Sequence, residues 1–364
     1  MSDKQQYFIG TNSITLLPGI LRSKGIKSIF LVRDAEAYEI SGAAYAIERH
    51  FGEFKIAEFK DFSKNPKIDD IEKGLRLFLE KKHDGIVAIG GGSVIDMAKL
   101  ISYYAFQKGF MKQYAPLYAI PTTAGTGSEA THFAVMYING IKHSIAEKHI
   151  LPEIAIVDPQ LTYSSPPYLS ACTGIDALAQ AIEAYWNVFA NDESDKYAEK
   201  ALSLLYPNLH RAVVLNNKEA KNHIAEGAYW AGRAINITKT TAPHAISYPF
   251  TTHYGYPHGH AVALTLPYFM AYNYEKENRM LKEGVDVVSH KQRMERLYSM
   301  LNIASVEKSL GAMKNFISQL GLDMKLSANF DADKILSEIN EERLANNPVI
   351  LSKEGLKKYF KELT

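Results

Sequence analysis

The stretch Gly85–Lys99, GIVAIGGGSVIDMAK, decides the fold. Gly85–Ile89 is a short apolar run that reads as a buried strand. It leads into Gly90-Gly91-Gly92-Ser93, and a helical pattern opens near Val94. Glycines let a backbone approach a phosphate closely, and the free amides and dipole of a helix N-terminus hold the anion. Asp96 and Lys99 fall on the first turns of that helix. The loop is neither G-x-G-x-x-G nor a Walker A loop, and a glycine turn between strand and helix is commonplace by itself.

Working outward, the same texture repeats. Ser28–Val32 (SIFLV), Leu117–Ile120 (LYAI) and Ile154–Val157 (IAIV) are further short apolar runs, the last two stopped by Pro121 and by Asp158-Pro159. Ala43–Phe51 and Asp69–Lys82 have the period of amphipathic helices. Strands alternating with helices predict a parallel α/β sheet. After about Tyr163 the texture changes. Pro166-Pro167 punctuates the chain, and the rest reads as helices joined by short polar turns, with no strand run or internal repeat. The expectation is an α/β domain over residues 1–163 and an all-α domain over 164–364.

Bulk properties narrow the function. The 364 residues, 46% hydrophobic and 22% charged, suffice for two folded cores. The net charge of +1, from 41 basic and 40 acidic residues, argues against a nucleic-acid surface. Cys172 is the only cysteine, which excludes an intrachain disulfide and a cysteine zinc site and suits a reducing cytoplasm. Met1–Gly10 is polar, unlike a signal peptide. The longest apolar stretch, Ala261–Tyr272, is broken by Thr265 and Pro267 and falls short of the roughly 20 residues that span a bilayer. A cytoplasmic protein without membrane or nucleic-acid partner is expected.

A second loop resembles the first in position. Pro121–Glu129 (PTTAGTGSE) follows the LYAI strand and is rich in hydroxyls and glycine, which suits ribose and pyrophosphate. Open α/β sheets bind ligands at the carboxyl ends of their strands. Asp34 ends the first of these strands, where a carboxylate accepts hydrogen bonds from an adenosine ribose and repels a 2′-phosphate; Arg33 beside it argues the other way.

The second half carries metal-type residues. In Ser170–Trp186 (SACTGIDALAQAIEAYW) the apolar residues Ile175, Leu178, Ala179, Ile182, Tyr185 and Trp186 share one face, and Asp176 and Gln180, four apart, share a neighbouring one. A carboxylate in apolar surroundings is normally paired or bound to metal. Thr241–His260 (TAPHAISYPFTTHYGYPHGH) holds His244, His253, His258 and His260. Two imidazoles, one carboxylate and open positions suit Zn(II) or Fe(II). Spacing alone does not select two of the four histidines.

GGGSVIDMAK, PTTAGTGSEAT, TGIDALAQAIEAYW and PHGHAVALTLP, in this order and at this spacing, resemble the motifs of the iron-containing, or group III, alcohol dehydrogenase family from about residue 7 to the C-terminal helices. The resemblance implies a dehydroquinate-synthase-like architecture, with NAD(H) or NADP(H) and one divalent metal. It implies cofactor contacts from Gly91, Gly92, Ser93 and Asp96, from Thr122, Thr123 and Thr126, from Asn65 of Asn65-Pro66, and from Lys142. It implies metal ligands at Asp176, His244 and His258. Gln180 stands where the family has a histidine, as a weaker fourth ligand or none. Tyr248 stands where a further histidine assists proton transfer, leaving that role to Tyr248, water or a neighbouring histidine. Homodimers are common in the family.

Locally, residues 128–162 and 238–264 are similar to the phosphonoacetaldehyde reductase branch, which makes 2-hydroxyethylphosphonate. A phosphonate of nearly two negative charges needs cationic or amide donors, and Lys239, Arg233, His132 and His253 are the candidates. The alternatives are another small aldehyde or alcohol of the lactaldehyde, butanol or propanediol type, a dehydroquinate-synthase-like lyase, or a nucleotide-binding homologue whose catalysis has decayed, with Gln180 as its first symptom.

Overall fold

The computed structural model describes residues 5–139, 141–275, 280–326 and 329–364; Met1–Lys4 of the polar N-terminus lie outside them. The chain forms two compact units, Met1–Ser165 and Pro166–Thr364.

The first unit is α/β, as the alternating texture predicts. Six strands, β1 (Gln6–Ile9), β2 (Ser28–Arg33), β3 (Lys55–Phe59), β4 (Gly85–Gly90), β5 (Leu117–Pro121) and β8 (Ile154–Val157), form a wholly parallel sheet in the order β1-β8-β5-β4-β2-β3. Both faces are covered. Phe30, Val32, Ile86, Ala88 and Ala119 pack under the Ile68–Glu80 and Gly92–Gln107 helices, while Ile29, Leu31, Val87, Ile89 and Ile120 pack on the other side with Leu17, Leu21 and Ile47. Successive residues point to opposite faces, so strands buried on both sides read as unbroken apolar runs. That is why β2, β4, β5 and β8 stand out in the sequence. The edge strands β1 and β3 do not, because most of their side chains are exposed or half-buried. β6 (Phe133–Ile138) and β7 (Ile141–Ala146) form a separate antiparallel hairpin that the apolar-run reading misses.

The strand order creates a topological switch point, the place where open α/β sheets bind ligands. From β2 the chain steps outward to β3, then returns to β4 on the opposite side of β2. The connections leaving β2 and β4 therefore diverge, and the carboxyl ends of these two neighbours carry Asp34 and the glycine loop.

The second unit is helical. Among its described residues there is no strand, only an isolated bridge between Leu281 and Val349. Its centre is the Pro167–Trp186 helix, opened by Pro at its first position and buried on nearly every side after Ser170. The Asp192–Val213 and Lys218–Thr238 helices pack on it and on each other. A Cβ on Gly174 would collide with Leu209, so glycine sets how closely the first two approach. Among the described residues no helix is long and apolar enough to cross a membrane.

Candidate functional site

In the α/β unit, the end of β4 and the start of the Gly92–Gln107 helix are shaped by steric fit. A Cβ on Gly92 would stand 2.7 Å from Thr126 Oγ1, and one on Gly91 3.4 Å from Thr123 Oγ1. The glycine loop and the threonine loop therefore lie against each other, with Ser93 half-buried beside them. Thr122 N donates to Gly90 O at 3.0 Å, while Thr122 Oγ1 is buried with no hydrogen-bond partner among the described residues. A hydroxyl buried without a partner carries a desolvation cost.

The charged residues here are engaged by the fold itself. Asp34 Oδ1 accepts the amides of Glu36, Ala37 and Tyr38. Its Oδ2 lies beside Gly90, 3.0 Å from where a Cβ would stand. Arg33 turns away to Glu58, at 2.8 Å, and lies over the Tyr38 ring. Asp96 accepts from Ser128 Oγ at 2.5 Å and from Val135 N at 3.0 Å. It thus ties its helix to the threonine loop and the hairpin. Lys99, fully buried, donates to Ser128 O, Ser128 Oγ, Thr131 Oγ1 and Phe133 O. Burial brings Lys99 down to about 8 and pushes Glu129, also buried, up to about 7. Lys142 sits on β7, close enough to Asp96 to lower its pKa against the larger, opposite effect of burial. Asn65 is exposed in the loop before the Ile68–Glu80 helix, held by Ser63 Oγ at its carbonyl.

In the helical unit, three expected ligands come together. Asp176 and His244 are buried and His258 is half-buried; their ligating atoms all lie within 4.8 Å of one another. His244 Nε2 is 3.1 Å and His258 Nε2 3.9 Å from Asp176 Oδ1. Donors around one first-row ion at about 2.0–2.2 Å lie about 3–4 Å apart, so the set fits a divalent metal. Gln180 lies one turn after Asp176 with its amide oxygen buried. Burial alone would lower His244, but Glu183 and Asp176 outweigh it and raise the imidazole to about 10. Two buried carboxylates thus bracket the His244 ring, one at each nitrogen.

Local sequence explains the assembly. Gly259 follows His258 at the start of the His258–Ala263 helix. A Cβ there would collide with the carbonyl oxygen of Cys172 and stand 3.0 Å from Asp176 Cβ. Only glycine lets this helix seat His258 beside Asp176. Tyr248, one turn after His244 on the Ala242–Tyr254 helix, has its ring 6.1 Å from that of His258. Of the remaining histidines, His260 is committed to Tyr168 Oη at 2.9 Å and Asp323 O at 2.6 Å.

The four candidates for anion binding have these partners in the fold. Arg233 is held by the hydroxyls of Tyr229 and Tyr197, each at 3.1 Å, and lies over the Tyr197 ring. Lys239 caps its helix at φ 64° and pairs with Glu342 at 2.8 Å. His253 pairs with Glu338 at 2.6 Å. His132, in the α/β unit, packs against Phe133. Lys239 and Arg233, expected to meet the anion, thus each have side-chain partners in the fold.

Sequence reasoning passed over Glu183. It is wholly buried and accepts His244 Nδ1–H at 2.5 Å, Thr241 N at 2.6 Å and Thr241 Oγ1 at 2.8 Å. Its signal was available: a charged residue seven after Asp176 on an otherwise apolar helix.

The profile of the iron-containing alcohol dehydrogenases matches residues 4–159, and that of the C-terminal domain of the Fe-containing alcohol dehydrogenase family matches residues 170–362. The chain belongs to the iron-containing alcohol dehydrogenase family and is an enzyme of the alcohol dehydrogenase class. It is 33% identical to long-chain-alcohol dehydrogenase 1 of Geobacillus thermodenitrificans over 280 residues, 72% of this chain and 71% of that one. It is 30% identical to 1,3-propanediol dehydrogenase of Klebsiella pneumoniae over 335 residues, 88% and 85% of the two chains. Among solved structures, the sulfoacetaldehyde reductase of Bifidobacterium kashiwanohense in complex with NAD+ is similar with a TM-score of 0.85 and 29% identity, covering 99% of this chain and 96% of that one.

Proposed function

We propose that this protein is a metal-dependent, nicotinamide-linked reductase of a small aldehyde, working in the direction of the alcohol. The observation that carries the reading is the Asp176, His244 and His258 cluster, whose donor chemistry and spacing suit Fe(II) or Zn(II). An ion held there supplies Lewis-acid polarisation of the aldehyde oxygen, and the hydride is the chemistry of NADH or NADPH. The chain's own part is positioning. Asp176, His244 and His258 fix the ion, with Gln180 as a proposed fourth donor. Tyr248, whose ring lies 6.1 Å from that of His258, is the proposed source of the proton for the alcohol oxygen. In the α/β unit, Gly91, Gly92 and Ser93 offer backbone amides at a helix N-terminus to the pyrophosphate. Thr122, Thr123 and Thr126 offer hydroxyls, and the Oδ2 of Asp34, beside Gly90, suits a ribose.

For the substrate we propose phosphonoacetaldehyde, reduced to 2-hydroxyethylphosphonate. The local similarity of residues 128–162 and 238–264 to that branch supports it. So does the likeness to a reductase of sulfoacetaldehyde, another two-carbon anionic aldehyde. The test is NADH and NADPH oxidation by metal-loaded protein with phosphonoacetaldehyde, sulfoacetaldehyde, lactaldehyde and butyraldehyde. A kcat/KM for the phosphonate at least about 100-fold above the neutral aldehydes, about 2.7 kcal/mol of transition-state discrimination, is expected. Preference for a neutral aldehyde would leave the metal-dependent reductase standing and remove the phosphonate.

A further inference from the structure

Asp176, Gln180 and Glu183 stand at i, i+4 and i+7 of one helix, a single polar stripe. Glu183 closes the stripe with no solvent exposure at all. A carboxylate buried this deeply is costly unless all its lone pairs are used. Here Oε2 takes the amide and hydroxyl of Thr241, whose Oγ1 also accepts Trp186 Nε1–H at 2.9 Å. That leaves Oε1 to a single partner, the Nδ1–H of His244. Which imidazole nitrogen carries the proton is set by the hydrogen bond the other makes.

We infer that Glu183 is a positioning residue for the metal: it holds the His244 proton on Nδ1, so that Nε2 presents its lone pair toward Asp176 and His258. The inference rests on the reading of this cluster as a metal site. An anion on the far nitrogen of a ligating histidine also makes the near one more basic. His258, whose Nδ1 lies 3.4 Å from the Ser247 hydroxyl, has a half-exposed ring, while His244 is buried against Glu183. With an amide at position 180, the charge that Glu183 places behind His244 carries much of the affinity.

The informative variant is Glu183→Gln. Its amide oxygen still serves Thr241, but its NH2 then faces His244 Nδ1, which must accept and so carry its proton on Nε2, the atom meant for the metal. Apo-protein titrated with Co(II) against a chromophoric chelator is expected to bind 10–100-fold more weakly than wild type, the usual cost of losing such a partner. In the zinc-loaded wild type, 15N–1H spectra are expected to show the His244 Nδ1 proton shifted downfield by its bond to Glu183, a shift that Glu183→Gln removes and a merely structural Glu183 would not produce. Should Glu183→Gln fail to fold, Glu183→Asp decides: it keeps the buried charge but draws it back from the ring, and a loss of about tenfold is expected. Wild-type Co(II) affinity in either folded variant, or a His244 Nδ1 proton without that downfield shift in the wild type, would overturn the inference. If the wild type binds Co(II) no better than Asp176→Ala, the metal-site reading itself fails.

Discussion

The glycine loop of the α/β unit and the carboxylate–histidine cluster of the helical unit are built by opposite means. Around the glycine loop nearly every charged side chain is spent inside the fold. Asp34 caps a helix with one oxygen, Asp96 ties two segments together, and Lys99 feeds four acceptors. What the loop has left to offer is backbone at a helix N-terminus and a few hydroxyls. In the cluster the helical backbone is satisfied by its own hydrogen bonds, and the offer is side-chain lone pairs on rigid helices. Deleting a side chain should therefore remove the site in the helical unit but only reshape it in the α/β unit.

The largest effect tests the first half of that contrast. Asp176→Ala removes the atom both histidines face, and its loss cannot be repaired by backbone movement within a helix. Metal content measured on the purified variant is expected to fall to background. With it goes about 4 kcal/mol of charge stabilisation, about 10³-fold in kcat/KM, while circular dichroism stays helical. A variant that keeps its metal would place the site elsewhere.

Gly259→Ala asks whether backbone ever matters in the cluster. The added Cβ meets the Cys172 carbonyl, which is part of a helix and cannot swing aside. Urea unfolding of the metal-free protein is expected to show a loss of about 3 kcal/mol, the upper end for overpacking. Co(II) affinity should fall as well, because His258 moves with its helix. A loss under about 1 kcal/mol would mean the two helices are not in contact there.

How far the sequence revealed these sites follows from range. β2, β4, β5 and β8 were legible because burial on both faces leaves an unbroken apolar run, while β1 and β3, at the sheet edges, carry too little of it. The hairpin escaped because its residues alternate between buried Ala134 and Met136 and half-buried Val135 and Tyr137. Asp176, His244 and His258 were named through family motifs. Glu183 was not, since its partner His244 lies 61 residues away and spacing on a helix marks a stripe without saying what faces it. The partner of Lys239 was hidden for the same reason: Glu342, which pairs with it, is 103 residues on.

In the α/β unit the contrast turns on buried charge, and pH exposes it. Burial raises Glu129 from 4.5 to about 7. A group whose pKa is higher folded than unfolded contributes stability that is fully present below the unfolded value and lost as pH rises through the folded one. The wild type should therefore lose up to about 3 kcal/mol between pH 4.5 and 7 that Glu129→Gln does not lose. Unfolding free energies of both proteins across this window check it, and parallel curves would show that folding does not raise the Glu129 carboxyl.

The smallest effect is the most discriminating. Thr122 Oγ1 is the loop hydroxyl that the fold leaves without a hydrogen-bond partner among the described residues, so Thr122→Val should stabilise the ligand-free protein by about 1 kcal/mol. If the hydroxyl exists to meet a dinucleotide, the same change should weaken NADH binding by about tenfold, or about 1.4 kcal/mol. Thermal unfolding with and without NADH measures both at once: the variant's midpoint should lie above wild type without the dinucleotide and lose that lead when it is saturating. A variant that gains stability and keeps its NADH affinity would mean the α/β site is made of backbone alone, which sharpens the contrast with the cluster. One that gains nothing would mean the hydroxyl is not buried without a partner, and the hydroxyls of the threonine loop would then be spent inside the fold like the charges around them.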